Sequence, residues 1–378
     1  MDTIITDWCR LPGHLLALIA THLHSPDDLH RFRAVCKSFR SSIPPTKPLS
    51  PSSDLKISLP TNPLPRSRGR CVLTESIVYA IQPLSLISNS EPTTKTWLLR
   101  VQKLNSGKLQ VQDPLCRLRF EDLSDKLPNS LNLLAYRVME IAKAYQLELV
   151  SPRKRRSFFS DDSRRTFFRK VVVSTCYDET NEEFTILVLY ALGKLVMWRN
   201  VDKKWTYINI TYQSIADIIY HNNKFYVLVS TGLIISVDST SLNNTIEVAG
   251  PPELQNSFQD LFLIDKYRTY QNNHGYEVER VDFNVFKLDE EKHEWVRMKK
   301  GLEDRVLFVG ENCSFSVPAE EFSGCKGNCI YFSDDDVICC SSENHPGMNA
   351  KVVYLDEGFA FPDVSGIFWP PPTWLEYP

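Results

Sequence analysis

From about Gly69 to the end, the chain is written in short apolar runs rich in Val, Ile, Leu, Tyr and Phe, separated by clusters of Asn, Asp, Ser or Gly. Runs such as Phe184 to Leu192, Lys194 to Arg199, Lys224 to Ser230 and Val306 to Val309 are short, bounded and β-branched, which suits strands rather than helices. Several end in an aspartate that opens a turn: Leu109 to Asp113, Leu195 to Asp202, Leu233 to Asp238, Val285 to Asp289 and Val352 to Asp356. In two of them a tryptophan soon follows, Trp205 and Trp295. Four-stranded propeller blades take about 40 to 50 residues each, so this stretch has room for six or seven. Glycine is scarce, at 14 residues, and the hairpin turns are expected at Asn222-Asn223, Asn243-Asn244 and Asn272-Asn273, because asparagine tolerates positive φ. One segment breaks the texture: Leu134, Val138, Ile141, Ala142 and Tyr145 recur at helical intervals, which predicts an inserted helix over Leu131 to Leu149.

The N-terminus is different. Pro12 suits a helix start because its missing N–H would be unpaired there, and Leu15, Leu16, Ile19 and Leu23 follow at helical spacing. Ser25-Pro26-Asp27-Asp28 reads as a second start, with a hydroxyl cap and two carboxylates at the positive end of the helix dipole; Leu29, Phe32 and Val35 lie on its apolar stripe. Three short helices in residues 1–43 form a unit too small to bury a sufficient core alone, which implies a partner. Residues 44–70 carry seven prolines in a Ser-rich setting and read as a stiff, extended linker. Residues 71–378 are the mainly-β domain. The fold class expected is therefore α+β multidomain: a small three-helix unit, then a six- or seven-bladed β-propeller.

Composition excludes several classes. Formal net charge is −3, which argues against bulk capture by nucleic acid or anionic membrane. No apolar run approaches the ~20 residues of a membrane-spanning helix, and no basic segment followed by an apolar one opens the chain, so a soluble protein of nucleus or cytoplasm is expected. The ten cysteines are scattered and expected to be reduced.

The string Leu-Pro-x-x-Leu-Leu-x-x-Ile at Leu11 to Ile19, with Asp-Leu-x-Arg-Phe-Arg-x-Val-Cys-Lys-Ser-Phe-Arg at Asp28 to Arg40, resembles the F-box of plant F-box proteins. His14 departs from it, where the family usually has an acidic residue, and Phe39 stands where tryptophan is commoner. Farther on, Lys194 to Trp205, Leu307 to Gly310 and Gly324 to Phe332 resemble the C-terminal domain of such proteins, taken in that family to be a β-propeller. The resemblance implies a Skp-type adaptor as partner, through it a cullin-RING ubiquitin ligase, and a role as substrate receptor for a protein whose identity the sequence does not give. The adaptor-binding residues it implies are Leu11, Pro12, Leu15, Leu16 and Ile19, with Leu23, Leu29, Phe32 and Val35.

Catalysis is not expected: no Gly-x-Ser-x-Gly, His-Glu-x-x-His or phosphate-cradling loop occurs, and no cofactor is implied. Cys325 and Cys329, with Cys339 and Cys340, superficially suggest zinc, but neighbouring strand residues point to opposite faces, so core thiols are expected and no metal. Arg153, Lys154, Arg155 and Arg156, followed by Arg164-Arg165 and Arg169-Lys170, are the one concentrated charge. A solvated loop is the first reading and a nuclear import signal the second. Phe158, Phe159, Phe167 and Phe168 interleave with them, a pattern that could stack on bases, but the first reading is that they flank strands and enter the core. The rivals to a receptor are thus a nuclear, nucleic-acid-associated regulator using this run and an enzyme using the propeller mouth.

Overall fold

The computed structural model describes residues 11–22, 29, 32, 33, 35–43, 55–58, 70–83, 95–104, 106–124, 127, 136–150, 168–174, 183–190, 193–210, 214–221, 223–230, 233–238, 245–248, 262–273, 276–289, 292, 294–298, 301, 302, 304–322, 325–333, 345–356, 360–362 and 366–368. The chain divides into two compact units, Met1–Pro51 and Ser52–Pro378.

In the first unit, helix α1 (Gly13–Thr21) is preceded by Pro12 at its N-cap. The Pro12 carbonyl accepts from the N–H groups of Leu15 (2.9 Å) and Leu16 (3.2 Å), so the helix begins within a residue of the position that proline predicts. Helix α2 (Lys37–Ser42) packs against α1, and Leu29, Phe32 and Arg33 are also helical. The second helix start, Ser25 to Asp28, lies outside the described residues. Among the described residues here, Leu16, Ala20 and Phe39 are the buried apolar side chains, and the Phe32 and Phe39 rings lie 4.5 Å apart.

The described elements of the second unit are almost all strands. Its first sheet holds β1 (Lys56–Ser58), β2 (Arg70–Pro83), β3 (Trp97–Lys103), β4 (Leu109–Gln112), β5 (Arg119–Phe120), β6 (Tyr136–Val150), β7 (Phe168–Val173), β8 (Thr185–Tyr190), β9 (Lys194–Arg199) and β10 (Lys204–Ile208). They run in the order β10-β9-β8-β7-β6-β2-β3-β4-β5, with β1 beside β2; a short helix α3 (Glu121–Ser124) follows β5. The second sheet is β11 (Ile215–His221), β12 (Lys224–Val229), β13 (Ile234–Asp238) and β14 (Thr245–Val248). The third is β15 (Phe262–Asn273), β16 (Tyr276–Asp289) and β17 (Glu294–Arg297). The fourth is β18 (Arg305–Val309), β19 (Phe315–Pro318), β20 (Cys329–Ser333), β21 (Ala350–Tyr354) and β22 (Ala360–Pro362), in the order β19-β18-β20-β21-β22.

Apolar clusters join these sheets in a closed circuit. Leu73, Tyr145 and Leu147 share a core with Val171, Val188 and Trp198 on one face of the first sheet. Leu187, Leu189 and Met197 alternate with that set, so they lie on the opposite face, where they pack on Ile218, Phe225 and Val237 of the second sheet. Tyr226 and Leu228 meet Leu263 and Leu288 of the third, and Ile264 and Val285 meet Leu307 and Ile330 of the fourth. Phe308, Phe315 and Tyr331 then return to Val78, Ala80 and Leu98 of the first. Each set of strands is covered on both faces by its neighbours, which is how a propeller buries short antiparallel sheets. The first sheet supplies two members of the circuit, because β6 and β7 share one paired position, Tyr145 with Val171. The described strands thus form five members; β2, β6, β15 and β16 run 14, 15, 12 and 14 residues and use chain that ordinary blade lengths would assign to further blades.

Three expectations are corrected. Leu131 to Leu149 is not a helix over its described part: Tyr136 to Val150 is strand β6, paired with β2 along its length. The register shifts between Val78 and Tyr79, which face Ala142 and Glu140, so Ile141 is an extra residue and the inward parity changes there. Tyr145 and Leu147 fall on one side of the shift and Ile141 and Met139 on the other, and that change of phase mimics helical spacing. Residues 44–70 are not linker throughout, since Lys56 to Ser58 pair with Arg70 to Val72. Ile57 is buried there, and the Trp205 indole N–H donates to the Ser58 carbonyl (2.5 Å). Asn272 and Asn273 do not make a turn, because they pair with Glu277 and Tyr276 inside a ribbon of twelve paired positions. Asn223, by contrast, takes φ +62° between β11 and β12, the role expected of it. Asn222, Asn243 and Asn244 lie outside the described residues.

Candidate functional site

On a helix each residue advances about 100°, so Leu15, Leu18 and Ile19 share one sector of α1, and Leu16 and Ala20 the next. The structure separates the two by environment. Leu16 is fully buried and Ala20 nearly so, whereas Leu15 and Ile19 are each 38% exposed and Leu18 is 57% exposed. Val35, just before α2, is 58% exposed. Single exposed apolar residues are ordinary on a protein surface, but three on one helical sector of a unit this small form a face that water covers poorly.

The residues expected to bind the adaptor therefore divide. Leu15, Ile19 and Val35 are open to a partner, and Pro12 is exposed beside them. Leu16 holds the helices together instead. Leu11, Leu29 and Phe32 are half-buried, Phe32 against Phe39. Leu23 lies outside the described residues. Leu18 was not among the expected residues; its position three after Leu15 was the available signal. His14 is exposed, so its departure from the acidic residue usual there leaves the helix intact.

The basic run offers less than its sequence suggests. Arg153, Lys154, Arg155, Arg156 and the Arg164-Arg165 pair lie outside the described residues. At its end, Phe168 is buried in the core of the first sheet, and the Lys170 ammonium lies 2.8 Å from the Asp217 carboxylate, with both side chains largely buried. Burial raises the Asp217 carboxyl above its ordinary value, and the attraction of Lys170 opposes that shift in part. Lys170 is thus committed to the fold, while Arg169 is exposed.

The propeller closes on a polar seam between its first and fourth sheets. The Leu98 N–H donates to the Ile367 carbonyl (2.9 Å), and the Glu311 N–H to that of Leu115 (2.8 Å). Asp113 ends β4 as the strand-ending aspartates predict. One carboxylate oxygen accepts the N–H groups of Leu115 (2.8 Å) and Cys116 (3.0 Å), and the other that of Gly347 (2.6 Å) from the far side of the seam. Arg100, wholly buried, donates to Ser76 Oγ (3.0 Å) and, across the seam, to Asn312 Oδ1 (3.0 Å); burial lowers its pKa. Gly310 is required at this point, because a Cβ would lie 2.5 Å from the Leu115 and Cys313 carbonyl oxygens. The seam is tied by these internal bonds and is structural, although Arg100 Nη2 and Asn312 Nδ2 are buried there without a hydrogen-bond partner among the described residues.

Cys329 is a buried strand residue, and Cys325 is half-buried nearby; Cys339 and Cys340 lie outside the described residues. Burial pushes the Cys329 thiol far up, and that of Cys71 up to about 12, so both are neutral core groups. Among the described residues, no three His, Cys, Asp or Glu side chains converge as metal ligands would, and no helix is long and apolar enough to cross a membrane.

A small helical unit with an open apolar sector, followed by a β-propeller, is the arrangement of a plant F-box protein. The sequence pattern of the KIB1-4 beta-propeller family matches residues 58–355, and the chain belongs to that family. It is 27% identical over 406 residues to the F-box protein SKIP23 of Arabidopsis thaliana, covering 98% of this chain and 96% of that one. The Arabidopsis F-box protein At4g35733 is 28% identical over 373 residues, 93% of each chain. Among solved structures, the WD40 domain of Neurospora crassa Pan2 overlaps 72% of this chain and 79% of its own length, at 10% identity and a TM-score of 0.25.

Proposed function

We propose that the chain is the substrate-recognition subunit of a Skp-cullin-F-box ubiquitin ligase, working in the nucleus or cytoplasm. The exposed sector of α1 docks on a Skp-type adaptor and the propeller holds a protein substrate. The observation that carries this reading is the exposure of Leu15, Ile19 and Val35 on a helical unit in which, among the described residues, the buried apolar side chains are Leu16, Ala20 and Phe39. The chain acts by positioning and is not itself catalytic. Holding a substrate lysine near a charged conjugating enzyme raises its effective concentration, which accelerates transfer without a catalytic side chain on the receptor.

Co-purification with a Skp-type adaptor tests this, comparing the intact chain with Leu15→Asp and Ile19→Asp. Both side chains are partly exposed in the free protein, so the variants keep their helical signal and thermal transition while adaptor recovery falls by about tenfold or more. Equal recovery of adaptor from all three proteins would defeat the assignment.

A further inference from the structure

A guanidinium group carries N–H donors in a fixed fork and no acceptor, so a wholly buried arginine has to find an acceptor for each nitrogen. Arg100 Nε donates to Ser76 Oγ (3.0 Å), and Nη1 to Asn312 Oδ1 (3.0 Å) and to the carbonyls of Cys116 (3.3 Å) and Asp113 (3.4 Å). All four acceptors are neutral. The Asp113 carboxylate is engaged by three backbone N–H groups. Nη2 has no hydrogen-bond partner among the described residues, and neither has Nδ2 of Asn312, the residue that Nη1 holds. Nη2 shares a carbon with Nη1, and Nδ2 shares one with Oδ1, so the two unpaired nitrogens belong to one small volume of the seam. Gln112 stands opposite Arg100 across β3 and β4, which puts both side chains on the same face of the sheet. Gln112 is 1% exposed; its Nε2 donates to Gln102 Oε1 (2.5 Å), while its own Oε1 is buried without a partner.

We infer that the closing seam holds a structural water, whose oxygen accepts from Arg100 Nη2 and Asn312 Nδ2 and one of whose hydrogens goes to Gln112 Oε1. Two unpaired donors and one unpaired acceptor match what a buried water satisfies, three bonds to groups that would otherwise be bare. Left bare, each of those groups would carry the full cost of losing its hydration. A halide would suit the two donors, but it would strand the Gln112 oxygen beside a second negative group, and for that reason water is the better occupant. Arg100 belongs to β3 of the first sheet and Asn312 to the turn between β18 and β19 of the fourth. The water is therefore one more tie across the contact that closes the propeller, beside the Arg100 to Asn312 bond and the Asp113 to Gly347 bond.

A crystal structure of the full chain, grown with bromide in place of chloride and sharp enough to show ordered water, tests this directly. The expected result is an oxygen at hydrogen-bond distance from Nη2, Nδ2 and Oε1, with no anomalous signal. An anomalous peak there would put a halide in the seam, and a direct bond from Nη2 or Nδ2 to the Gln112 oxygen would leave nothing for a water to do; either result overturns the inference. Thermal unfolding of two variants supplies a second reading that needs no crystal. Asn312→Leu strands both Nη atoms and removes the bridge, so the midpoint falls by about 3–8 °C. Asn312→Asp offers Arg100 a carboxylate that takes Nη1 and Nη2 together and displaces the water, so its midpoint stays at or above that of the unaltered chain. An Asn312→Leu protein as stable as the original, or an Asn312→Asp protein that loses as much as Asn312→Leu, would count against a bridge that starts from these two residues.

Discussion

Replacing Asp113 by alanine tests whether the polar seam closes the propeller. The carboxylate accepts three N–H groups, from Leu115 (2.8 Å), Cys116 (3.0 Å) and, across the seam, Gly347 (2.6 Å). Leu115 and Cys116 are buried and Gly347 is half-buried, so water replaces the lost acceptor poorly at the first two and partly at the third. At ~1–3 kcal/mol for each stranded donor, the change destabilises the propeller by about 3–6 kcal/mol. For a domain this large, that lowers the midpoint by roughly 5–12 °C. Asp113→Asn keeps an acceptor for Leu115 and Cys116 but turns an amide N–H₂ toward the Gly347 N–H, and is expected to lose about half as much. Asp202→Ala, which removes an exposed pair with Arg199 (3.2 Å), is the control and shifts stability by under ~1 kcal/mol. Urea unfolding with calorimetry reads all three. A loss below ~1 kcal/mol for Asp113→Ala, or an Asp113→Asn protein as stable as the original, would refute the claim that this carboxylate spans the seam.

Leu16→Ala removes a fully buried side chain of the helical unit; the expected loss of ~2–5 kcal/mol unfolds that unit and ends adaptor capture, while the propeller transition stays in place, and a single transition shifted as a whole would contradict the independence of the two units. Lys170→Met strands the buried Asp217 carboxylate and costs about 3–5 kcal/mol near pH 7.5. Burial already raises the Asp217 pKa above its ordinary 3.8, so the folded state holds the proton better than the unfolded one and stability falls as pH rises through the folded value. Removing Lys170 enlarges that upward shift, so the penalty shrinks as pH is lowered toward the acid range; a penalty equal at pH 7.5 and pH 5 in urea unfolding would count against it.

Much of this was legible in the chain because its signals are local. Pro12 marked the start of α1 within a residue, Asp113 and Asp289 began turns, and Asn223 took the left-handed conformation. The failures share a cause: each depends on a partner strand distant in sequence. The phase change at Ile141 exists only because β2 faces β6 with one residue fewer. Lys56 to Ser58 sit among prolines and become a strand only because β2 offers an edge and Trp205 a donor. At the candidate site, the stripe of Leu15, Leu16 and Ile19 was plain from spacing, but its division into buried and open residues needed the second helix, because which side of an apolar stripe is covered is decided by what packs on it.

The strand Lys56 to Ser58 also dictates where the propeller can be cut free. Family similarity begins at Ser58, and the texture of the sequence changes only near Gly69, yet Leu55 and Ile57 belong to the core around Trp198. An isolated propeller made for trapping substrates has to start upstream of Leu55. Trimmed at either apparent boundary, it would lose its first strand and bare a greasy flank, and what it then captured would report stickiness rather than recognition.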